Sequence, residues 1–150
     1  MDRGCRNSCF SSVIVVANRN GAKIPYWRIQ MEYLLMLYAD EAGWKNMTKA
    51  QQEQGYAAYM AYTEALKKAG VYKGSNRLAP CATATTLRLT NGKSQVLNGP
   101  FSESKEQLGG YYLIDVADLD AALSWAARCP GAGHGIIEVR PTWAAAVATA

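Results

Sequence analysis

The stretch that decides the fold is Met31–Glu41, MEYLLMLYADE. Residues 32–39 form a nearly continuous apolar run, which is typical of a central β-strand covered on both faces. Residues 1–30 differ, because they mix Cys, Arg, Asn and Gly without a sustained periodicity. We therefore expect the folded domain to cover residues 31–141. Residues 1–30 are expected to be an extension that is disordered or precedes the natural start, and residues 142–150 a C-terminal tail.

A long helix is expected after the first strand. Thr48 and Gln51 form a T-x-x-Q capping box, in which each side chain satisfies a backbone N–H at the start of the helix. The next side chains recur at the spacing of one helical face: Tyr56, Tyr59, Met60, Thr63 and Leu66. Gly70 is the residue type expected just after the last turn. The stripe predicts that this face of the helix is buried.

Four further elements follow, each bounded by a turn or cap signal: a hairpin over residues 82–97, a strand over 110–116, a helix after Asp118 and a strand over 135–140. The dipeptide Asn91-Gly92 marks the hairpin turn. The order strand, helix, hairpin, strand, helix, strand predicts an α+β fold of the ferredoxin-like split βαβ type, with an extra hairpin strand. In this fold, two helices cover one face of an antiparallel sheet.

The other face of this sheet is expected to need a partner. Alternation assigns two sets of side chains: Leu34, Met36, Ile114, Val116, Ile137 and Val139 toward the helices, and Tyr33, Leu35, Leu37, Tyr111, Leu113 and Ile136 away from them. The second set forms an apolar surface that is too large to remain in water. We therefore expect a homodimer that closes sheet against sheet.

The charge distribution argues against a nucleic-acid partner. The chain has a net charge of +4, yet residues 31–150 contain 11 basic and 11 acidic residues. The basic excess therefore lies in the first 30 residues, and the domain has no basic stripe that could neutralise phosphates. We expect no nucleic-acid partner.

Membrane and metal sites are also unexpected. The apolar runs are far shorter than the roughly 20 residues of a membrane helix, so we expect no membrane partner and a cytoplasmic location. The cysteines are Cys5, Cys9, Cys81 and Cys129, and no second close pair or neighbouring His completes a metal-ligand pattern. We expect neither a metal ion nor a cofactor.

A few polar residues near the sheet are candidates for chemistry. Glu138 and Arg140 share the parity of the uncovered face, and Asp40 follows the first strand. Arg140 is expected either to satisfy a neighbouring acid or to hold an acidic ligand through its guanidinium. His134, the single histidine, lies in a turn before the last strand, without a recognisable nucleophile beside it.

The loop over residues 98–107 is a second source of candidates. Asn98-Gly99-Pro100 forces a turn, after which Phe101 is expected to anchor the loop by burying its ring. Lys105 and Glu106 follow as polar side chains. The segment is either a well-anchored surface loop or a lid over a cleft.

The sequence resembles a known family at these residues. Residues 98–130, NGPFSESKEQLGGYYLIDVADLDAALSWAARCP, and residues 134–141, HGIIEVRP, closely resemble the YCII-related domain family in its DGPF-type branch. The resemblance implies a dimeric α+β barrel. In small bacterial members a His on the first helix and an Asp have been proposed as a catalytic pair. Here that helix contains no His, and Asn98 stands where the motif of the branch carries Asp.

Two functions are compatible with these observations. In the first, a small anionic molecule binds between the sheet and the 98–107 loop. The protein either only binds this molecule or converts it by lyase, isomerase or dehalogenase chemistry without a cofactor. The expected contacts are Asn98, Phe101, Lys105, Glu106, Tyr111 and Arg140, and the catalytic candidates are Asp40, Glu106 and His134. In the second, which the resemblance implies, the protein is a non-catalytic accessory partner of an extracytoplasmic-function sigma factor.

Overall fold

A computed structural model describes residues 15–17, 23–25, 31–102 and 104–143 of the chain. The chain divides into two compact units, one over residues 1–29 and 145–150 and the other over residues 30–144. In the first unit, β1 (Val15–Ala17) and β2 (Lys23–Pro25) pair antiparallel. Most of the predicted N-terminal extension and of the predicted C-terminal tail lies outside the described residues.

The second unit contains six strands and three helices among its described residues. In chain order they are β3 (Met31–Ala39), α1 (Glu41–Lys45), α2 (Lys49–Lys68), β4 (Tyr72–Arg77), β5 (Thr85–Thr90), β6 (Lys93–Asn98), β7 (Gln107–Val116), α3 (Leu119–Arg128) and β8 (Ile136–Pro141). Short 3₁₀ turns lie at Cys81–Thr83 and Pro130–Gly133. No helix in the described part of the chain is long and apolar enough to cross a membrane.

The main sheet has the strand order β4-β7-β3-β8, and every neighbouring pair is antiparallel. This is the ferredoxin-like α+β arrangement, so the predicted fold class is confirmed, with β3 as a central strand. Strand β4 was not predicted, because its sequence YKGSNR is polar and contains Gly. The predicted hairpin is present as β5 and β6, but these strands form a separate two-stranded sheet.

The helix caps follow the local sequence. The Thr48 hydroxyl accepts a hydrogen bond from the Gln51 N–H at 3.3 Å, and the Gln51 side chain accepts one from the Thr48 N–H at 2.8 Å. The Asp118 carboxylate accepts the Ala121 N–H at 2.8 Å, and α3 starts at the next residue. Since caps satisfy backbone groups only a few residues away, their positions are visible in the sequence.

The core lies between the sheet and the helices α2 and α3. Its fully buried side chains are Leu35, Leu66 and Ile114, and Tyr62, Tyr112, Ala122 and Ala126 are packed with them. The predicted helical stripe is only partly buried: Leu66 is in the core, whereas Tyr56 and Met60 are exposed. The stripe therefore serves a second purpose, which is to line a cleft.

The prediction of which β3 side chains face the helices was wrong. Tyr33 pairs with Ile114 and Leu35 with Tyr112, and this register turns Tyr33, Leu35 and Leu37 toward the helices. Leu34 and Met36 share the opposite face with their partners on β7 and β8. A continuous apolar run contains no alternation, so only the pairing with β7 assigns its faces.

Candidate functional site

A cleft of about 600 Å³ lies between α2 and the β4–β7 half of the sheet, with α1 at one end. Its volume is in the range of small-molecule sites. The lining is largely apolar and aromatic, and includes Leu37, Trp44, Met47, Tyr56, Tyr59, Met60 and Tyr112. This is the environment in which a few polar groups can orient a ligand.

The cationic side chains Lys45 and Arg77 line this cleft, and Arg77 is the one stacked on aromatic rings. Its guanidinium carbon lies 4.6 Å from the Trp44 ring centroid and 5.2 Å from that of Tyr56, and it donates a hydrogen bond to the Tyr56 hydroxyl. The two rings meet edge to face at 5.1 Å. Among the described residues, no carboxylate forms an ion pair with Arg77. Aromatic contacts orient the guanidinium and leave donors free for an anion.

Two glycines allow this arrangement. A Cβ atom at Gly110 would lie 2.8 Å from the carbonyl oxygen of Asn76, so only Gly lets β7 approach β4 this closely next to Arg77. A Cβ atom at Gly55 would lie 3.2 Å from the Trp44 ring. The ring therefore rests directly on α2 because this position has no side chain.

Hydrogen bonds hold the short helix α1 at the end of the cleft. A Glu41 carboxylate oxygen accepts the Cys81 N–H at 2.6 Å, and the Glu41 N–H donates to the Gln107 side chain at 3.2 Å. The Gln52 side chain donates to the Trp44 carbonyl at 3.1 Å. These contacts join α1 to the segment after β4, to the start of β7 and to α2, and they fix the position of Trp44.

The cleft also contains hydroxyl groups that remain protonated. The Thr63 hydroxyl donates to the Tyr59 carbonyl at 2.8 Å, and it also shares a hydrogen bond of 3.1 Å with the Tyr112 hydroxyl. Burial raises the pKa of Tyr59 to about 12. Burial also raises the pKa of Tyr112, and this effect exceeds the lowering caused by the hydrogen bond between Tyr112 and Thr63. At neutral pH these tyrosines are neutral hydrogen-bonding groups and not bases.

Three of the predicted site residues line this cleft: Asp40, Tyr111 and His134. One carboxylate oxygen of Asp40 already accepts the Ala42 N–H at 2.8 Å as the cap of α1. The Tyr111 hydroxyl accepts a hydrogen bond from the Asn76 side chain at 2.9 Å. His134 is exposed and follows the 3₁₀ turn Pro130–Gly133.

The other predicted contacts lie elsewhere: Asn98, Phe101, Lys105, Glu106 and Arg140 are all exposed and lie outside the lining of the cleft. Phe101 is 79% exposed, so the expectation that its ring is buried was wrong. The loop is instead closed by polar bonds, among them one from the Gln107 side chain to the Ser104 carbonyl at 2.8 Å. Arg140 forms an ion pair with Glu138, so it satisfies a neighbouring acid, which was one of the two roles expected for it.

Sequence reasoning missed Arg77, Trp44 and Tyr56. Arg77 ends a strand without a strand-like sequence, and its partners come from α1 and α2. The helical stripe that contains Tyr56 and Tyr59 was the one available signal, and it was assigned to the core. Within the described residues, no group of three or more His, Cys, Asp or Glu side chains could hold a metal ion.

The fold and the cleft define a ferredoxin-like α+β domain with a binding-site-sized cavity between helix and sheet. The YCII-related domain family matches residues 31–145. An uncharacterised protein of Rhizobium meliloti (strain 1021) is 39% identical over 113 residues, which cover 74% of this chain and 91% of that relative. The chain belongs to the YCII-related domain family.

Proposed function

We propose that this protein binds a small organic anion in the cleft between α2 and the β4–β7 half of the sheet, with Arg77 as the anion-binding residue. The observation that carries the proposal is the Arg77 guanidinium, which stacks on Trp44 and Tyr56 beside the cavity without an acidic partner among the described residues. Carboxylates and phosphates are the groups whose geometry such a planar fork matches.

The lining favours an organic anion over an inorganic one. Leu37, Met47 and Met60 offer apolar surface, and burial of the ligand body against them is favourable. The protonated hydroxyl of Tyr59 can donate to a carbonyl or ring oxygen of the ligand. A small carboxylate or lactone-derived acid combines these features.

A lyase, isomerase or dehalogenase step is the finer part of the proposal. His134 and Asp40 line the same cleft, and His134 is the better acid–base candidate because an Asp40 oxygen is engaged in capping α1. No cofactor is needed for proton transfer between such groups and a bound carboxylate.

Binding is tested by fluorescence titration and thermal shift with a panel of small carboxylates and lactones. Trp44 contacts Arg77, so an anion at the guanidinium is expected to change tryptophan emission. Arg77→Gln should weaken binding at least tenfold, since it removes a charge-assisted pair worth about 1.5–3 kcal/mol. The melting temperature of the variant without ligand shows whether the fold is retained.

Arg140→Gln is the matched control, because Arg140 is the arginine that was expected from the sequence to contact a ligand. We expect it to bind the panel like the unmodified protein. Loss of binding in Arg140→Gln but not in Arg77→Gln would move the site to the Arg140 side of the sheet. A panel without any binder at millimolar concentration would contradict the proposal altogether.

A homodimer belongs to the same proposal. The sheet face opposite the helices carries Leu34 and Leu113, which are paired across β3 and β7 and only partly buried, and closure of two such faces would remove them from water. Sedimentation at micromolar concentration should give a dimer. A stable monomer under those conditions would remove this part of the proposal.

A protein partner is the second candidate, and the β5–β6 hairpin favours it. Leu87, Leu89 and Val96 are each more than 60% exposed on this hairpin, and a surface of this kind suits protein contact. A non-catalytic role beside an extracytoplasmic-function sigma factor would use such a surface. Co-purification of a sigma factor, lost in Leu89→Glu and retained in Arg77→Gln, would favour this candidate over the first.

A further inference from the structure

A second, smaller cavity of about 260 Å³ adjoins the cleft. The two cavities share four lining residues: Trp44, Met47, Tyr59 and His134. The cleft is lined by the side of α2 that carries Tyr56, Met60 and Thr63. The smaller cavity is lined by the side that carries Gln51, Gln54 and Ala58. Tyr59 lies at the border between these two sides of the helix.

The smaller cavity differs in chemistry from the region around Arg77. Its remaining lining residues are Gln51, Gln54, Gly55, Ala58 and Pro130. Among all its lining residues, which belong to the described part of the chain, none is Asp, Glu, Lys or Arg. The charged side chains Asp40, Glu41, Lys45 and Arg77 therefore all belong to the cleft, and the adjoining smaller cavity is largely apolar.

We propose that the ligand is an amphipathic anion, namely a carboxylate with an unbranched apolar chain. The carboxylate binds Arg77, and the chain passes Tyr59 and enters the smaller cavity beside Ala58. The inference rests on the proposed anion site at Arg77 and adds the class of ligand. The Trp44 ring, seated on Gly55, forms the wall that both parts of the ligand contact.

The chain-length dependence of binding follows from this arrangement. Short carboxylates reach only the cleft, so their affinities should be similar to one another. Once the chain enters the smaller cavity, each additional methylene should raise the affinity by up to about fourfold, the value for complete burial. The gain should stop when the cavity is filled. An alcohol of the same length should bind at least tenfold more weakly, because it offers no charge to Arg77.

The test is a calorimetric titration of the full chain with acetate, butyrate, hexanoate, octanoate and decanoate. Ala58→Leu places a larger side chain in the smaller cavity, and it should abolish the gain for the long chains while butyrate binds as before. Ala57→Leu is the matched control: Ala57 is the preceding residue of α2, is exposed and contacts neither cavity. Leu is a strong helix former, so both variants should fold.

The possible outcomes separate this inference from the proposal on which it rests. Butyrate binding that depends on Arg77, without a gain for longer chains, would overturn the inference and keep the anion site. A gain that survives Ala58→Leu, or that is lost equally in Ala57→Leu, would also overturn the inference. If no carboxylate of any length binds, the anion site itself is wrong.

Discussion

The four-stranded sheet and the β5–β6 hairpin are built from similar side chains, yet they differ in burial. Leu35 on β3 and Ile114 on β7 are fully buried, whereas Leu87 and Leu89 on β5 are 61% and 69% exposed. Both regions consist of antiparallel pairs, with an unbroken register in the hairpin and a register shift between Leu37 and Tyr38 where β3 pairs with β7. The difference is the presence of α2 and α3 across the sheet. A β-like sequence therefore predicts a strand, while burial depends on what packs against it.

The hairpin owes its geometry to its turn. Asn91 and Gly92 have φ values of 51° and 76°, as a two-residue turn with the twist of the flanking strands requires. The sheet instead depends on contacts between elements distant in the chain, such as the bond from the Tyr62 hydroxyl to the Trp125 carbonyl at 2.9 Å. Four predictions test this contrast, in order of decreasing effect.

The largest effect is expected for matched leucine truncations in the two regions. Leu66→Ala removes a fully buried side chain and should lower the free energy of unfolding by about 2–5 kcal/mol. Leu89→Ala removes an exposed one and should change it by less than about 0.5 kcal/mol. Urea unfolding followed by circular dichroism measures both. Equal losses would show that the hairpin is covered in the assembled protein.

The second effect appears only at high pH. Burial raises the pKa of Tyr59 to about 12 and raises the pKa of Tyr62 and Tyr112, so the folded state keeps phenolic protons that the unfolded chain releases near pH 10. The resulting stabilisation is fully present below pH 10 and is lost as the pH rises from 10 through 12.

Chemical unfolding at a series of pH values, combined with tyrosinate absorbance, checks this prediction. The free energy of unfolding should decrease from pH 10 to pH 12, and the buried tyrosines should titrate after the exposed ones. The hairpin contains no Tyr, so its local structure should respond less than the core. A stability that is constant over this range would contradict the assignment of protonated, buried tyrosines.

A smaller loss is expected for Tyr62→Phe. The change removes the hydrogen bond to Trp125 and leaves the carbonyl without that donor, which should cost about 1 kcal/mol. Tyr111→Phe is the control, since its bond to Asn76 is exposed and water can replace it. Thermal unfolding of the two variants should separate them. Similar losses would show that the Asn76–Tyr111 bond is also shielded from water.

The smallest effect on global stability is expected for Gly92→Ala. Both Gly92 and Gly70 have positive φ, at 76° and 72°, so an Ala at either position costs about 1 kcal/mol locally. At Gly70, after the end of α2, this cost should lower the global free energy of unfolding. At Gly92 it should instead accelerate amide hydrogen exchange across β5 and β6, with little global change. Global destabilisation by Gly92→Ala would show that the hairpin unfolds together with the sheet.

Local signals predicted much of the secondary structure. The Thr48 cap, the Asn91-Gly92 turn and the Asp118 cap were all located from a few neighbouring residues. Strand β4 was missed because a polar edge strand with a glycine gains its structure from pairing with β7. The faces of β3 were misassigned because an unbroken apolar run leaves the choice of face to the pairing register.

The candidate site was predictable only in part. Asp40, Tyr111 and His134 were singled out from the sequence, and the structure gathers them around one cleft. Arg77 could not be recognised, because it lies on β4 and its environment is made by Trp44 on α1 and Tyr56 on α2. The charge of an arginine is visible in the sequence, but whether an acid neutralises it is a matter of tertiary contacts. Arg140 differs from Arg77 in this respect, because Glu138 forms an ion pair with it.

The sequence by itself determined the ferredoxin-like α+β class, the helix caps and the hairpin turn, because each depends on periodicity or on bonds between near neighbours. The tertiary structure alone decided which face of β3 is buried and that β4 completes the sheet. It also decided that Tyr56 and Met60 line a cleft and that Arg77 faces this cleft without an acidic partner among the described residues. These outcomes depend on register and on packing between distant segments, and neither leaves a periodic pattern in the sequence.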